Sequence, residues 1–172
     1  MILGGIAEKA FSIEGFDFTA ELEKEGFTPD YVRILQDAVK NMPRYKDNNI
    51  KVGTDYFLDG KKIRLYGVFD AIDNEIIIER KFGTVWNQTD VQNSIQLSFY
   101  WLLYLLKNGK EPKKIILYSC NSKNGKVIKY ETTRSQNDIE KLNQLILFAW
   151  NGITNQIYEH NYVVPRNNIW LK

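Results

Sequence analysis

IKVGTDYFLDGKKIRLYGVFDAIDNEIIIERKFG, residues 50–83, decides how the rest of the chain is read. Ile50 to Leu58 reads as a strand, Asp59-Gly60 as a hairpin turn, and Lys61 to Asp70 as the returning strand. Asp73-Asn74 marks a second turn, after which Glu75 to Lys81 forms a third strand centred on Ile76, Ile77 and Ile78. Three consecutive isoleucines suit a strand covered on both faces. The stretch therefore predicts an antiparallel meander with its most buried strand last.

Outward from this block the pattern is helical on both sides. Residues 1–11 read as a short helix in spite of Gly4 and Gly5, and residues 19–25 as a second. Thr28-Pro29-Asp30 opens a third helix, with Thr28 as N-cap and Pro29 at the first helical position, and Pro43 ends it. Beyond the meander, residues 90–107 read as one long helix. Lys113 to Cys120 reads as a fourth strand, Asn124-Gly125 as a turn, and Lys126 to Thr132 as its hairpin partner. Ser135 and Asp138 resemble a capping box opening a last helix to about Asn151. The aromatic tail, 157–172, is expected to fold back on the core. The fold class that results is α/β (α+β), one domain over residues 1–172 with a central mixed sheet flanked by helices.

Composition excludes several functions. The chain has 172 residues, 44% hydrophobic and 26% charged, and no apolar run reaches the roughly 20 residues that span a bilayer. A single cysteine, Cys120, rules out an internal disulfide framework and a four-cysteine metal site. With no signal-peptide pattern, the expectation is a cytoplasmic protein that does not engage membranes. The net charge of +2 neither requires nor forbids a nucleic-acid partner, because phosphate binding needs only a local basic patch.

The chemistry lies where the meander folds back. Glu79 and Lys81 are two residues apart on a strand, so their side chains share a face about 6.6 Å apart at the backbone. A turn centred on Asp73-Asn74 sets Asp70 opposite Ile77 and makes Glu79 its diagonal neighbour, about 7–8 Å away. Two carboxylates so placed can share a hard cation, whose oxygen ligands sit at about 2.0–2.1 Å for Mg²⁺. Such an ion lowers the pKa of a bound water, and Lys81 beside it can orient that water or meet a phosphate. Read alone, the same string also fits a solvated edge with a cross-strand ion pair.

Gly67 three residues before Asp70, Glu79-Arg80-Lys81, and Gln96 with Tyr100 (QLSFY, 96–100) occur in this order between Lys51 and Tyr100. In this the chain resembles the PD-(D/E)XK nuclease superfamily, and within it the RecB-like branch that includes CRISPR-associated exonucleases. The resemblance implies a restriction-endonuclease-like core and a metal-dependent deoxyribonuclease, with the exonucleases of replication, recombination, repair or defence as the nearest parallels. It implies Mg²⁺ or Mn²⁺ held by Asp70, Glu79 and the main-chain carbonyl of Arg80, with catalysis by Asp70, Glu79 and Lys81. It implies that Gln96 and Tyr100 line the path of the nucleic acid. Gly4-Gly5-Ile6-Ala7-Glu8 matches the branch's first-helix motif with glutamate in place of histidine, which makes Glu8 a candidate further ligand; a solvated helix glutamate fits equally.

Gln92, Gln96 and Tyr100 recur every four residues, so one continuous helix would place all three on one face and add Gln92 to the nucleic-acid contacts. The competing reading puts Tyr100 in a core stripe with Leu97 and Trp101. His160 does not match the branch's motif histidine, and the iron–sulfur cysteines of several relatives are absent, so no such cluster is expected. The implied partner is DNA, single- or double-stranded, with RNA left open, and with protein partners of a recombination or replication complex compatible. The implied setting is a prokaryotic cell or a virus infecting one. The alternative function is a nuclease-fold DNA-binding or regulatory subunit with little or no cleavage.

Overall fold

Three helices, α1 (Ile2–Ser12), α2 (Phe18–Lys24) and α3 (Pro29–Asn41), precede the meander of β1 (Asn48–Leu58), β2 (Lys61–Asp73) and β3 (Ile76–Gly83). There follow α4 (Gln88–Gln92), α5 (Ile95–Asn108), β4 (Lys114–Asn121), β5 (Val127–Thr132) and α6 (Gln136–Thr154). The computed structural model of the protein describes residues 2–83 and 85–154. The tail read as folding back, 157–172, and His160 within it lie outside the described residues. Among those residues no helix is long and apolar enough to cross a membrane.

The five strands form one mixed sheet in the order β1-β2-β3-β4-β5, with β3 and β4 parallel and every other pair antiparallel. A parallel pair needs a crossover, and α5 supplies it. This helix is apolar on nearly every side, and Leu97 through Tyr104 are all buried. It packs on one face of the sheet with Val52, Ile63, Leu65, Phe69, Ile77, Ile115 and Leu117. The opposite face carries α1 and α3 through Ile6, Ala7, Ala10, Phe11, Leu35 and Ala38 against Ala71, Ile78, Ile116 and Tyr118. Each fully buried leucine or isoleucine in these layers contributes about 1.5–3 kcal/mol. The α+β architecture expected from the sequence, a mixed sheet flanked by helices, is the one observed.

Two expectations are corrected. The turn between β2 and β3 centres on Asn74-Glu75, both at positive φ (48° and 69°), as a two-residue hairpin loop of the twisted kind requires. The register is therefore Ala71↔Ile78, Ile72↔Ile77 and Asp73↔Ile76, so Ile77 faces Ile72 rather than Asp70. The helix read over 90–107 is two helices. Asn93 ends α4, and the Ser94 side chain accepts from the Leu97 N–H as the N-cap of α5. Gln92 thus belongs to a different helix from Gln96 and Tyr100.

Local signals held elsewhere. Pro29 opens α3, although the Thr28 side chain makes no capping bond. Ser135 and Asp138 form reciprocal bonds, Ser135 N–H to Asp138 Oδ2 (2.8 Å) and Asp138 N–H to Ser135 Oγ (3.3 Å).

Gly67 lies where β2 crosses α5. A Cβ there would come within 2.8 Å of Leu103 Cδ2 and 3.4 Å of Phe99 Cε1. Because Leu103 is fully buried, it has nowhere to retreat. Gly67→Ala is expected to destabilise the fold by about 1–3 kcal/mol through overpacking, read as a lower denaturant midpoint at unchanged slope.

Candidate active site

The sheet divides at Asp70. Up to Phe69, the odd-numbered residues of β2 face α5; Ala71, only two positions on, packs with α1 and α3 on the other side. The neighbouring strand turns at the same row, where Asn49 is left-handed (φ 53°) between Asn48↔Ala71 and Ile50↔Phe69. The β2–β3 ladder also stops there, at Ala71↔Ile78. In its place the Asp70 side chain takes the next main-chain donor, with Arg80 N–H to Oδ2 at 2.6 Å. From this row β1 and β2 run on as a two-stranded ribbon, while β3 stays paired with β4 as far as Gly83↔Asn121. Asp70 and Glu79 stand in the fork.

Alternation along β3 sends Ile77, Glu79 and Lys81 toward α5, and Ile78, Arg80 and Phe82 toward α1. Glu79 is only 2% exposed. Its Oε1 receives Lys81 Nζ at 2.5 Å and Gln96 Nε2 at 3.0 Å, while its Oε2 is buried with no hydrogen-bond partner. Burial first, and then the Asp70 charge, push its carboxyl from 4.5 up to about 8, against the pull of Lys81. Asp70 is also raised by burial, opposed by the Arg80 N–H bond and by the Arg80 and Lys81 charges. Glu8 stands on the exposed side of α1 within electrostatic reach, raised by partial burial and by Asp70.

Gln96 bridges, since its Nε2 also donates to the Tyr100 hydroxyl at 3.0 Å. The Tyr100 ring packs on Phe69, centroids 5.1 Å apart, and burial followed by the Glu79 charge raises its phenol. The Tyr100 ring therefore belongs to the core stripe, and its hydroxyl, at the edge of that stripe, accepts from Gln96 beside Glu79. Gln92 does not join them. It is exposed at the end of α4, beside a polar hollow shared with Gln88, Asn93 and Thr132.

Arg80 matters for more than its main-chain carbonyl, because its side chain is buried and heavily bonded. Nη1 donates to Phe11 O (3.0 Å), and Nη2 to Asn48 Oδ1 (2.7 Å), Asp70 O (3.0 Å) and Ser12 Oγ (3.3 Å). The guanidinium thereby ties the end of α1 to β1 and β2, which keeps Glu8 near the fork. Arg134, also missed, donates to Ser98 Oγ (2.7 Å), Val91 O (3.0 Å) and Ser94 O (3.3 Å), and so braces the α4–α5 junction that presents Gln96. For Arg80 the available signal was position, since a charge on a strand read as central must find partners on the face it points to; Arg134, in the loop between β5 and α6, carried no such signal.

The donor set fits a hard cation. Glu79 Oε2 is a buried oxygen without a donor, beside a second carboxylate whose ionised form is disfavoured by burial, and a divalent ion bound there would compensate both. Among the described residues no three His, Cys, Asp or Glu side chains gather closely enough to hold a metal by themselves, so main-chain oxygen or solvent must complete such a site.

A profile of the PD-(D/E)XK nuclease superfamily matches residues 7–163, a span that contains every side chain of the fork. The crystal structure of a Eubacterium rectale protein named "Putative exonuclease" aligns with a TM-score of 0.62 at 10% identity, covering 92% of this chain and 68% of that one, a likeness of fold. The crystal structure of SSO0001 aligns at 17% identity over 90% of this chain and 73% of that one, but its TM-score of 0.47 is too low to carry an argument. No curated protein matches the chain in sequence. With the profile spanning most of its length, the chain belongs to the PD-(D/E)XK nuclease superfamily.

Proposed function

We propose that the chain is a single-domain, RecB-like deoxyribonuclease of exonuclease type that depends on Mg²⁺ or Mn²⁺ and carries no iron–sulfur cluster. The observation that carries this reading is the fork itself: a superfamily member in which a buried, partly unsatisfied glutamate meets an aspartate and a lysine where two strands part. In this reading Asp70, Glu79 and the Arg80 carbonyl would hold the ion, and Glu8, exposed on α1, would act on it through solvent. The bound ion would lower the pKa of a water and offset charge on the phosphate.

The chain's own groups do the rest. Lys81 Nζ, already at Glu79 Oε1, donates to the attacking water or to a phosphate oxygen. The water oxygen bonds to phosphorus, its proton passing to solvent, as the P–O bond to the 3′ oxygen breaks; that oxygen leaves as a hydroxyl with a proton from solvent, and a 5′-phosphate end remains. Gln96 holds Glu79 in place through its amide, and Tyr100 fixes Gln96 in turn. Their place inside the site gives them a supporting role for the carboxylate, with contact to the nucleic acid secondary.

Purified full-length protein with Mg²⁺ or Mn²⁺, assayed on linear, circular and single-stranded DNA, tests the reading. Cleavage from ends, with circles resistant, is expected, and Asp70→Ala and Lys81→Ala should each lower the rate about 100-fold or more. Cleavage retained in both variants would refute the assignment.

A second expectation concerns proton linkage in the metal-free protein. Because Glu79 holds its proton to about pH 8 when folded and to about 4.5 otherwise, the native state binds the extra proton between those values. Its contribution to stability is present below pH 4.5 and is lost as pH rises through 8. Melting curves in EDTA should therefore show Glu79→Gln gaining on wild type as pH rises from 5 to 8. Added Mn²⁺ should raise the melting temperature of wild type and leave Glu79→Gln less affected.

A further inference from the structure

We propose that the exposed face of the β1–β2 ribbon is a track for single-stranded DNA leading to the carboxylate fork; the inference rests on the nuclease reading above and names its substrate form. Along the ribbon, Ile63 and Leu65 turn into the core, so Lys62, Arg64 and Tyr66 face outward. The register sets Phe57 opposite Lys62, Asp55 opposite Arg64, and Gly53 opposite Tyr66, with Lys51 one step nearer the fork. Phe57 is 71% exposed and Tyr66 54%. One exposed aromatic on a protein surface is ordinary; two on one face of the ribbon, with Arg64 between their levels and Lys62 beside Phe57, match the pattern that binds unpaired bases.

The face is also organised for this. The Asp55 carboxylate holds Lys62 Nζ at 2.9 Å and Arg64 Nη1 at 3.0 Å, which fixes the direction of both cations. Three cations, Lys51, Lys62 and Arg64, thus stand against one carboxylate, leaving positive charge for phosphates. Gly53 makes room for the platform. A Cβ there would come within 3.1 Å of Arg64 Nη2 and 3.4 Å of Tyr66 Cδ2, so the guanidinium and the phenol ring lie down against bare backbone. Phe57 is about 13 Å from the level of Tyr66 along the strands, and Tyr66 about 13 Å from Asp70. Stacking on exposed rings requires bases that are not paired, so the track selects a single strand over a duplex.

Anisotropy with the full chain tests this, using a fluorescein-labelled twenty-nucleotide oligothymidylate and a duplex of equal length, with Ca²⁺ in place of Mg²⁺ or Mn²⁺. Wild type should prefer the single strand. Phe57→Ala/Tyr66→Ala, both surface changes, should weaken that binding about 10-fold or more. Lys51→Ala should flatten the dependence of log affinity on log salt by about 0.7. The double variant should melt at the wild-type temperature, so that a loss of binding is not a loss of fold. Unchanged affinity in the double variant, a preference for the duplex, or no binding of the single strand would each overturn the track. So would a self-associating wild type that the double variant turns monomeric, since the face would then be an interface between copies. Binding lost in the double variant, with no cleavage by wild type under any metal, would leave the track standing and refute the nuclease reading instead.

Discussion

Two adjacent ionisable side chains in the central strand govern this structure. β3 is covered on both faces, yet it carries Glu79 toward one helical layer and Arg80 toward the other. Burying a charge without partners costs several kcal/mol, so each must be answered on its own side. Arg80 is answered completely, by main-chain and side-chain oxygens from α1, β1 and β2. Glu79 is answered by half, with Lys81 and Gln96 on one oxygen and nothing on the other. The first imbalance is settled by the fold and holds it together. The second is left open, which is what a binding centre requires.

Much of the fold was legible because its signals are local. Asp59-Gly60, Asn124-Gly125, Pro29 and the Ser135–Asp138 pair each mark an element boundary by backbone chemistry. The register slipped because glutamate is a poor residue for positive φ, and Glu75 occupies that position nonetheless. Ion pairs from Lys110 and Lys113 hold its carboxylate outside the turn. The broken helix was hidden by regular spacing: Gln92, Gln96 and Tyr100 suggest continuity, although Ser94 before an apolar run is itself an N-cap signal.

The trio Asp70, Glu79 and Lys81 was legible through its motif and its two-residue period, and the structure does gather it. What alternation alone could not give is the fork. Regular strands would carry Phe69 and Ala71 on one face; the left-handed Asn49 and the lost ladder pair at Asp70 put them on two. That irregularity frees the Asp70 carboxylate to take the Arg80 N–H. The partners of Arg80 and Arg134 were illegible for another reason. They are main-chain oxygens and small hydroxyls, such as Phe11 O, Val91 O and Ser98 Oγ, which leave no charge pattern in a sequence.

The seam between the ribbon and the remainder of the sheet is thin. β2 and β3 share three ladder pairs, against ten between β1 and β2 and eight between β3 and β4. So short a seam does little to set the angle of the ribbon, and the packing of Val52, Ile63, Leu65 and Gly67 on α5 does most of it. The same helix carries Gln96 and Tyr100. α5 is thus the common datum from which both arms of the fork are aligned. A change of volume in its core face shifts Asp70 and the partner of Glu79 together, so divergence in this protein can retune the spacing of the site without replacing any residue in it.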